Sequence, residues 1–433
     1  MTRLSSTAIT SAAASVSAAR GDRSERLPIG VATMYRPGSS FMTGDTMAEQ
    51  GIRPQGTRIA AVLLVLLASA CVGRREPVRE QRPADEVPVA DVRLAPGQTR
   101  NHVAVLVPLT GPNAGVGTSI ANAANLALLD SKDLGIKLTV YDTGLGAAAA
   151  ANRALADGNG LFLGPLLAED VRTVAPIARG RGVPVIAFSN DVGVAGGGTY
   201  IMGFTPDQSI GRAVAYARGK GVVRFAGLMP TNAYGDRAGL ALRRAVTDAG
   251  GRLVAVQTYA RGTASLTAAL RTLGDKGAYD ALVIGDTPSV AAGAVSILRG
   301  GPARPARVIG TELWSTDRTL GKAVPLRGAW FAGVPDMRFD QLVTRYRARY
   351  GRTPYRLASL GYDGVLLAVR SSREWGVGTR FPERTLTDRG GFSGVDGAFR
   401  FNRDGTAERR MAVHEVTARG PTVVAQADAG FDD

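Results

Sequence analysis

The sequence predicts an α/β fold with two doubly wound parallel-sheet lobes and a cleft between them. From residue 102 onward, short apolar segments alternate with amphipathic stretches, which is typical of βαβ units with both sheet faces covered. The same alternation restarts near residue 222, so two sets of comparable size follow one another. A chain of 433 residues that is 45% hydrophobic is long enough for two such lobes.

The first set opens with the apolar segment HVAVLV, which reads as a buried strand and is followed by the turn PLTGPNAGVG. KLTVYD, GLFL and VPVIA have the length and composition of further strands, and the stretches between them favour helices. The predicted strands are 102–107, 137–142, 160–163 and 183–187. The predicted helices are 118–131, 148–156 and 168–179.

The second set repeats this order from VVRFAGL onward and ends in helices and a hairpin. Asp404-Gly405 is the turn signal of that hairpin, GAFRFNRDGTAERRMAVHEV. The predicted strands are 222–228, 253–259, 281–284 and 308–310. The predicted helices are 238–249, 265–273, 290–298, 339–350 and 358–371.

These elements define a body over residues 101–420. We expect the first lobe to comprise 102–217 and 338–378, the second 218–337 and 379–420, and residues 421–433 to form a disordered tail. Ligands of open α/β sheets bind outside the carboxyl ends of the strands. Loops from both lobes would meet there and build a cleft, where small-molecule sites preferentially occur.

Residues 59–70 form a run of twelve apolar or small residues. Cys71, the only cysteine of the chain, follows directly. The run is shorter than the roughly 20 residues of a membrane-spanning helix and has the proportions of a signal-peptide core. The stretch ASAC resembles a bacterial lipobox, although Ala68 stands where leucine is usual. We expect 47–70 to be a lipoprotein signal peptide and Cys71 to carry the lipid. An ordinary secretory peptide cleaved after Ala70 is the alternative.

Met47 opens a stretch of normal signal-peptide length, so residues 1–46 are expected to be an over-extended gene start or disordered. Residues 71–100 mix proline with both charge signs and are expected to form a flexible tether. About 28 extended residues at up to ~3.5 Å each reach about 100 Å. The predicted location is the periplasm, with the chain anchored in a bacterial membrane, preferably the outer one.

Composition and motifs exclude several function classes. The net charge of +15 comes mostly from arginines scattered along the chain, which does not favour nucleic-acid binding. One cysteine and two histidines do not suit a zinc site, so we predict no metal. The glycines of GPNAGVG lack dinucleotide-binding spacing, and GFSGV lacks the spacing of a nucleophile elbow. We therefore predict no cofactor, no catalytic residues and no enzyme activity.

Several stretches resemble type 1 periplasmic solute-binding proteins of the leucine/isoleucine/valine-binding kind. They are VAVLVPLTGPNAGVG, LFLGPLLAEDVRTVAPIARGRGVPVIAFSND, YIMGFTPDQSIGRAVAYA and NAYGDRAGLALRRAVTDAGG, within a resemblance that spans residues 102–420. GPLLAEDV, YDTG, TELW and RYRARYGRTPYRLASLGYDGVLLA look most similar to lipoproteins known as penicillin-binding protein activators. Those proteins stimulate peptidoglycan synthases.

The resemblance implies six ligand-binding positions. Amino-acid binders hold the ligand carboxylate with two first-lobe loops, which match Leu166–Leu167 and Ser189–Asp191 here. The first loop usually presents Ser or Thr, so the leucines weaken carboxylate binding at that point, whereas Ser189 of the second loop can still donate. Tyr234 matches a ligand-covering tyrosine, with packing on the following helix as its alternative. Glu312 matches the acid that pairs with the ligand ammonium, with a solvated loop carboxylate or a helix-N-terminal carboxylate as its alternative.

Two functions follow from the resemblance. The first is a receptor that binds an amino acid or similar polar ligand and delivers it to an ABC importer. The second is a lipid-anchored activator that contacts a peptidoglycan synthase. Glu312 and Tyr234 favour the receptor, whereas the leucines and the tether favour the activator.

Overall fold

The computed structural model describes residues 99–299, 307–317 and 319–431. The α-helices of this part of the chain are α1 Ala114–Ser131, α2 Ala147–Ala156, α3 Ala168–Arg179, α4 Pro206–Gly219, α5 Ala233–Asp248, α6 Thr263–Asp275, α7 Pro288–Leu298, α8 Met337–Tyr350 and α9 Ala358–Ser372. The strands are β1 Asn101–Val107, β2 Ile136–Asp142, β3 Asn159–Leu163, β4 Val185–Ala187, β5 Thr199–Ile201, β6 Arg224–Pro230, β7 Arg252–Tyr259, β8 Ala281–Ile284, β9 Arg307–Ile309, β10 Trp330–Gly333, β11 Phe392–Gly394, β12 Gly397–Phe401, β13 Ala407–Arg409, β14 Ala412–Thr417 and β15 Gly420–Ala425.

The first sheet has the order β2-β1-β3-β4-β5, and all its strands are parallel. Alternate residues of β1 face opposite sides of this sheet. Val103 and Val105 join the core built with α1 and α9, whereas Ala104 and Leu106 join the core built with α2 and α3. Both faces are covered, which explains why β1 and β3 are almost uniformly apolar.

The second sheet has the order β15-β14-β10-β9-β8-β6-β7. Strands β6 to β10 are parallel, and β14 and β15 add antiparallel pairs at one edge. Helices α4 and α5 pack on one face, and α6 and α7 contribute to the core on the other. The predicted fold class is confirmed: the chain forms two mostly parallel sheets, each with helices on both faces.

The third sheet is small and contains the predicted hairpin. Strands β12 and β13 pair around Asp404-Gly405, and Gly405 has a φ of +84°, a conformation that favours glycine. β14, which we expected to belong to the hairpin, pairs instead with β10 in the second sheet. A two-residue break after β13 lets the chain change sheets.

Three expected boundaries are corrected by the packing. Helix α4, expected in the first lobe, packs on α5 and β10 of the second. β12 of the small sheet, expected in the second lobe, packs Phe401 against Tyr200 of the first. Residues 421–425, expected in a disordered tail, belong to β15, because that edge of β14 offers unpaired backbone groups.

The chain crosses between the two lobes near residues 202–205, 334–336 and 410–411. A buried ionic cluster lies beneath these crossings. Arg356 donates to Asp396 at 2.5 Å and to the carbonyl of Pro335 at 3.4 Å, and Arg409 donates to the carbonyl of Met202 at 3.0 Å. The cluster thereby ties the crossing segments to one another.

Candidate functional site

Leu166 and Leu167 lie in the loop that follows β3 of the first lobe. Gly164 begins this loop with a φ of +98°, and a Cβ there would meet the carbonyl oxygen of Leu106 at 2.1 Å. Both leucines are partly buried, and Leu167 occupies the N-cap position of α3 without a side-chain hydrogen bond. The loop therefore offers backbone groups and apolar side chains, and Leu166 packs against the hydrophobic core.

Ser189 and Asp191 follow β4, and both are buried. The Ser189 hydroxyl accepts a hydrogen bond from the Asp191 amide at 3.1 Å. Asp191 Oδ1 accepts from the Gly193 amide at 3.0 Å, and its Oδ2 accepts from Arg172 at 2.7 Å. The two predicted residues are thus brought together. Both oxygens of the Asp191 carboxylate accept hydrogen bonds from its own lobe, from the Gly193 amide and from Arg172.

Tyr234 and Glu312 are brought together in the second lobe, although 78 residues separate them in sequence. The Tyr234 hydroxyl donates to Glu312 Oε1 at 2.8 Å and lies 2.9 Å from Thr311 Oγ1. The Glu312 carboxylate is not solvated, because the residue is only 5% exposed, but it does lie at a helix N-terminus, where it opens the short 3₁₀ helix Glu312–Thr316. Its other oxygen, Oε2, is buried and has no hydrogen-bond partner.

Burial raises the pKa of Glu312 to about 7, an effect that the Tyr234 hydrogen bond partly offsets. Burial and the neighbouring Glu312 charge raise the pKa of Tyr234 well above its usual value. Tyr234 is therefore a neutral donor, and Glu312 changes charge near neutral pH. A carboxyl group poised in this way is typical of functional sites, although buried structural networks have the same property.

Close backbone packing fixes both side chains. Asn232 caps α5 by accepting from the Gly235 amide at 2.8 Å, and a Cβ at Gly235 would meet the Pro230 carbonyl oxygen at 1.8 Å. On the other side, the fully buried Trp314 donates to the Asp286 carbonyl at 2.8 Å. These contacts hold the turns on which Tyr234 and Glu312 stand.

Arg237 is the polar residue that the sequence analysis missed. It lies three residues after Tyr234, close to one turn along α5, and its Nη1 is 3.3 Å from Asp191 Oδ1. This ion pair joins the second lobe to the first across the cleft. The Nε of Arg237 is buried and has no hydrogen-bond partner. The helical spacing of three residues from Tyr234 indicates that Arg237 lies near the same face of α5. Its contact with Asp191 could not be predicted, because it depends on how the two lobes meet.

A cavity of about 760 Å³ is lined by none of the six predicted residues. Its volume is in the range of small-molecule pockets. The residues that line it are Ser315, Asp317, Asp336, Phe339, Asp340, Val343, Arg347, Thr353, Pro354, Tyr355, Arg356, Leu357 and Pro421.

The described residues contain no group of three or more His, Cys, Asp or Glu arranged to hold a metal ion. Within the same ranges, no helix is long and apolar enough to cross a bilayer. The predicted lipidation site, Cys71, and the predicted signal peptide and tether at 47–70 and 71–98 lie outside the described residues.

A family model described as periplasmic binding protein matches residues 102–421. The chain belongs to the periplasmic binding protein family. The match covers nearly all of both sheets, up to the start of β15, and the six predicted binding positions, which confirms the family resemblance seen in the sequence. The family and its neighbours are binding proteins and regulators, and no curated protein matches the chain.

Solved structures similar to this periplasmic binding protein include transporter binding proteins and a regulator. A putative branched-chain amino acid ABC transporter from Rhodospirillum rubrum covers 75% of this chain and 100% of its own, with 20% identity and a TM-score of 0.65. The leucine binding protein LivK from Thermotoga maritima covers 77% and 99%, with 19% identity and a TM-score of 0.56.

The C-domain of LpoA from Haemophilus influenzae is described as a regulator of PBP1A. It covers 75% of this chain and 100% of its own, with 20% identity and a TM-score of 0.59. At these identities the likeness establishes the shared fold. The ligand and the partner of this chain have to be argued from its own residues.

Proposed function

We propose that this periplasmic binding protein binds an amino acid or a similar small polar ligand in the cleft beside Glu312. The observation that carries the proposal is the buried Oε2 of Glu312, an acceptor without a partner inside the protein. A buried acceptor left unpaired is costly, and a donor on a ligand would satisfy it. Tyr234, which already holds Oε1, orients the carboxylate for this contact.

The electrostatics of the site support a cationic group on the ligand. The pKa of Glu312 is about 7, so the carboxylate ionises readily when a positive charge approaches. A charge-assisted hydrogen bond to an ammonium group is among the stronger polar contacts in a closed cleft. Ligand contacts in both lobes would favour the shut state of the cleft.

We place this receptor outside the cytoplasm, anchored by a lipid on Cys71 and tethered by residues 71–100. An ABC importer is the expected recipient of the ligand. The support comes from the lipobox-like sequence and from the transporter proteins that share the fold. Radiolabelled palmitate incorporation that is lost in Cys71→Ser would support the anchor, and equal incorporation in both proteins would refute it.

A thermal-shift screen of the full chain with amino acids tests the receptor proposal. A ligand at 100 times its dissociation constant stabilises the folded state by ~2.7 kcal/mol. We expect saturable stabilisation that disappears in Glu312→Ala. Glu383→Ala is the matched control, because it removes a similar tyrosine–carboxylate bond, to Tyr200 at 2.8 Å, outside the cleft. Absence of stabilisation by every amino acid would refute an amino acid as the ligand of this cleft.

The ion pair between Arg237 and Asp191 favours a second candidate function. It joins the lobes without any ligand, as expected for an interaction protein that keeps one shape. In this alternative the anchored chain activates a peptidoglycan synthase by contact. A purified synthase would polymerise its substrate faster in the presence of the protein, with no amino acid required. An unchanged rate would exclude this function.

A further inference from the structure

We propose that Arg237 binds the carboxylate of the ligand, so that the cleft selects small molecules that carry an ammonium group and a carboxylate together. This assignment rests on the proposed function, because it specifies the ligand chemistry of the same cleft. It moves carboxylate recognition from the first lobe, where the family resemblance puts it, to helix α5 of the second lobe.

Arg237 and Glu312 each carry a buried atom without a hydrogen-bond partner, and the two atoms are complementary. Nε of Arg237 is a buried donor without a hydrogen-bond partner, and Oε2 of Glu312 is a buried acceptor without one. Glu312 is 95% buried, and the charge of Arg237 acts on it directly by lowering its pKa. A ligand with an ammonium group for Glu312 and a carboxylate for Arg237 would satisfy both atoms.

The first-lobe loops offer few side-chain donors. Leu166 and Leu167 have apolar side chains where hydroxyl groups would otherwise bind a carboxylate. The Ser189 hydroxyl accepts from the Asp191 amide and keeps its own proton, so it can donate one hydrogen bond to a ligand. A carboxylate has two oxygens to satisfy, and a guanidinium offers a planar fork that matches both.

The contacts of Asp191 allow Arg237 to leave this carboxylate and turn to a ligand. Its contact with Asp191 is long, at 3.3 Å, whereas Arg172 holds the same carboxylate at 2.7 Å. The Gly193 amide also donates to Asp191. Asp191 would thus keep two donors when Arg237 turns to a ligand. Arg172 is the more exposed of the two arginines, with 60% of its side chain in solvent against 22% for Arg237.

Calorimetric titration of the full chain tests this assignment with α-amino acids, their C-terminal amides and the corresponding decarboxylated amines. The wild type is expected to bind at least one acid more than tenfold tighter than its amide. Arg237→Met is expected to lose at least tenfold in affinity for the acid and to keep its affinity for the amide within twofold. Arg237→Lys keeps the positive charge without the planar guanidinium, so its affinity for the acid should lie between those of the wild type and Arg237→Met.

Arg172→Met is the control, since it removes the other arginine of Asp191 and should leave the acid-over-amide preference unchanged. Melting temperatures of all variants report folding, and Arg237→Lys supplies the comparison if Arg237→Met does not fold. Amino acid binding that requires Glu312 but keeps its acid preference in both Arg237 variants would overturn this assignment alone. A wild type that binds no member of the panel would overturn the proposed function and this assignment together.

Discussion

At the scale of single residues, Glu312 combines burial with an incomplete set of partners. Tyr234 satisfies one carboxylate oxygen, and the other is buried and unpaired. In a purely structural pair we would expect both oxygens to be hydrogen-bonded, because desolvation of a carboxylate is expensive. The unpaired oxygen of Glu312 therefore lowers the free energy of unfolding of the ligand-free protein, and a bound cation would raise it again.

The first prediction concerns the pH dependence of binding. The pKa of Glu312 is about 7 without ligand, and a bound ammonium group favours its ionised form, so binding releases a proton below pH 7. Affinity should be constant above about pH 7 and fall with a limiting slope of about tenfold per pH unit below it. Calorimetry between pH 5.5 and 8.5 measures this, and a flat profile would contradict a cation at Glu312.

The second prediction concerns stability without ligand. The folded-state pKa of Glu312, about 7, lies above its ordinary value of 4.5, so stability is lost as pH rises between these values. At ~1.36 kcal/mol per unit, Glu312→Gln should be more stable than the wild type by about 3 kcal/mol at pH 8 and by far less at pH 5. Urea unfolding at the two pH values measures the difference. An equal effect at both would show that burial does not perturb this carboxyl.

The link between Tyr234 and Glu312 could be anticipated from sequence, because both follow strands whose carboxyl ends meet at one edge of a parallel sheet. The burial of Glu312 could not, since it depends on Trp314 and the lobe core around it. Arg237 was missed for a related reason. Its partner, Asp191, belongs to the other lobe, and no local pattern records how two lobes meet.

At the scale of elements, the same strand-to-helix turn occurs in both lobes. A Cβ at Gly117 in α1 would meet the carbonyl oxygen of Pro108 at 1.8 Å, and Gly235 in α5 has the same distance to Pro230. Both helices begin before the predicted starts, at Ala114 and Ala233 instead of 118 and 238. Their first turns contain glycine, which is typical of loops, so sequence predicted the elements and misplaced their beginnings.

The third prediction is that Gly235→Ala destabilises the protein by about 1–3 kcal/mol and weakens ligand binding, because the added methyl group displaces the turn that carries Tyr234. Gly211→Ala in α4 is the control, since its added Cβ would have no atom within 4 Å apart from its chain neighbours and the backbone of its own helix. It should be neutral or stabilising by up to about 1 kcal/mol. Denaturant unfolding measures both, and equal effects would show that the close approach at Gly235 is unimportant.

At the scale of the whole molecule, the ionic cluster beneath the crossings connects the two lobes. Asp363 accepts from the amides of Val395 and Asp396 and has a raised pKa, caused by burial and by the Asp396 charge. Arg356 and Arg409 supply the compensating positive charge. Such a cluster favours one arrangement of the crossings.

The fourth prediction is that Arg356→Met destabilises the protein by about 3–5 kcal/mol, because Asp396 would be left as a buried charge without its partner. Arg345→Met removes a more exposed ion pair, with Asp130 at 3.0 Å, and should change stability by at most about 1 kcal/mol. Thermal and urea unfolding measure both variants. A small effect for Arg356→Met would mean that the cluster does not stabilise the crossings.

Native mass spectrometry of the full chain shows whether one small molecule occupies the cleft beside Glu312. The probe is the amino acid that gives the largest thermal shift. We expect one bound molecule per chain in the wild type and in Glu383→Ala, and none in Glu312→Ala. A wild type without any bound molecule, or a Glu312→Ala variant that keeps it, would show that Glu312 holds no ligand.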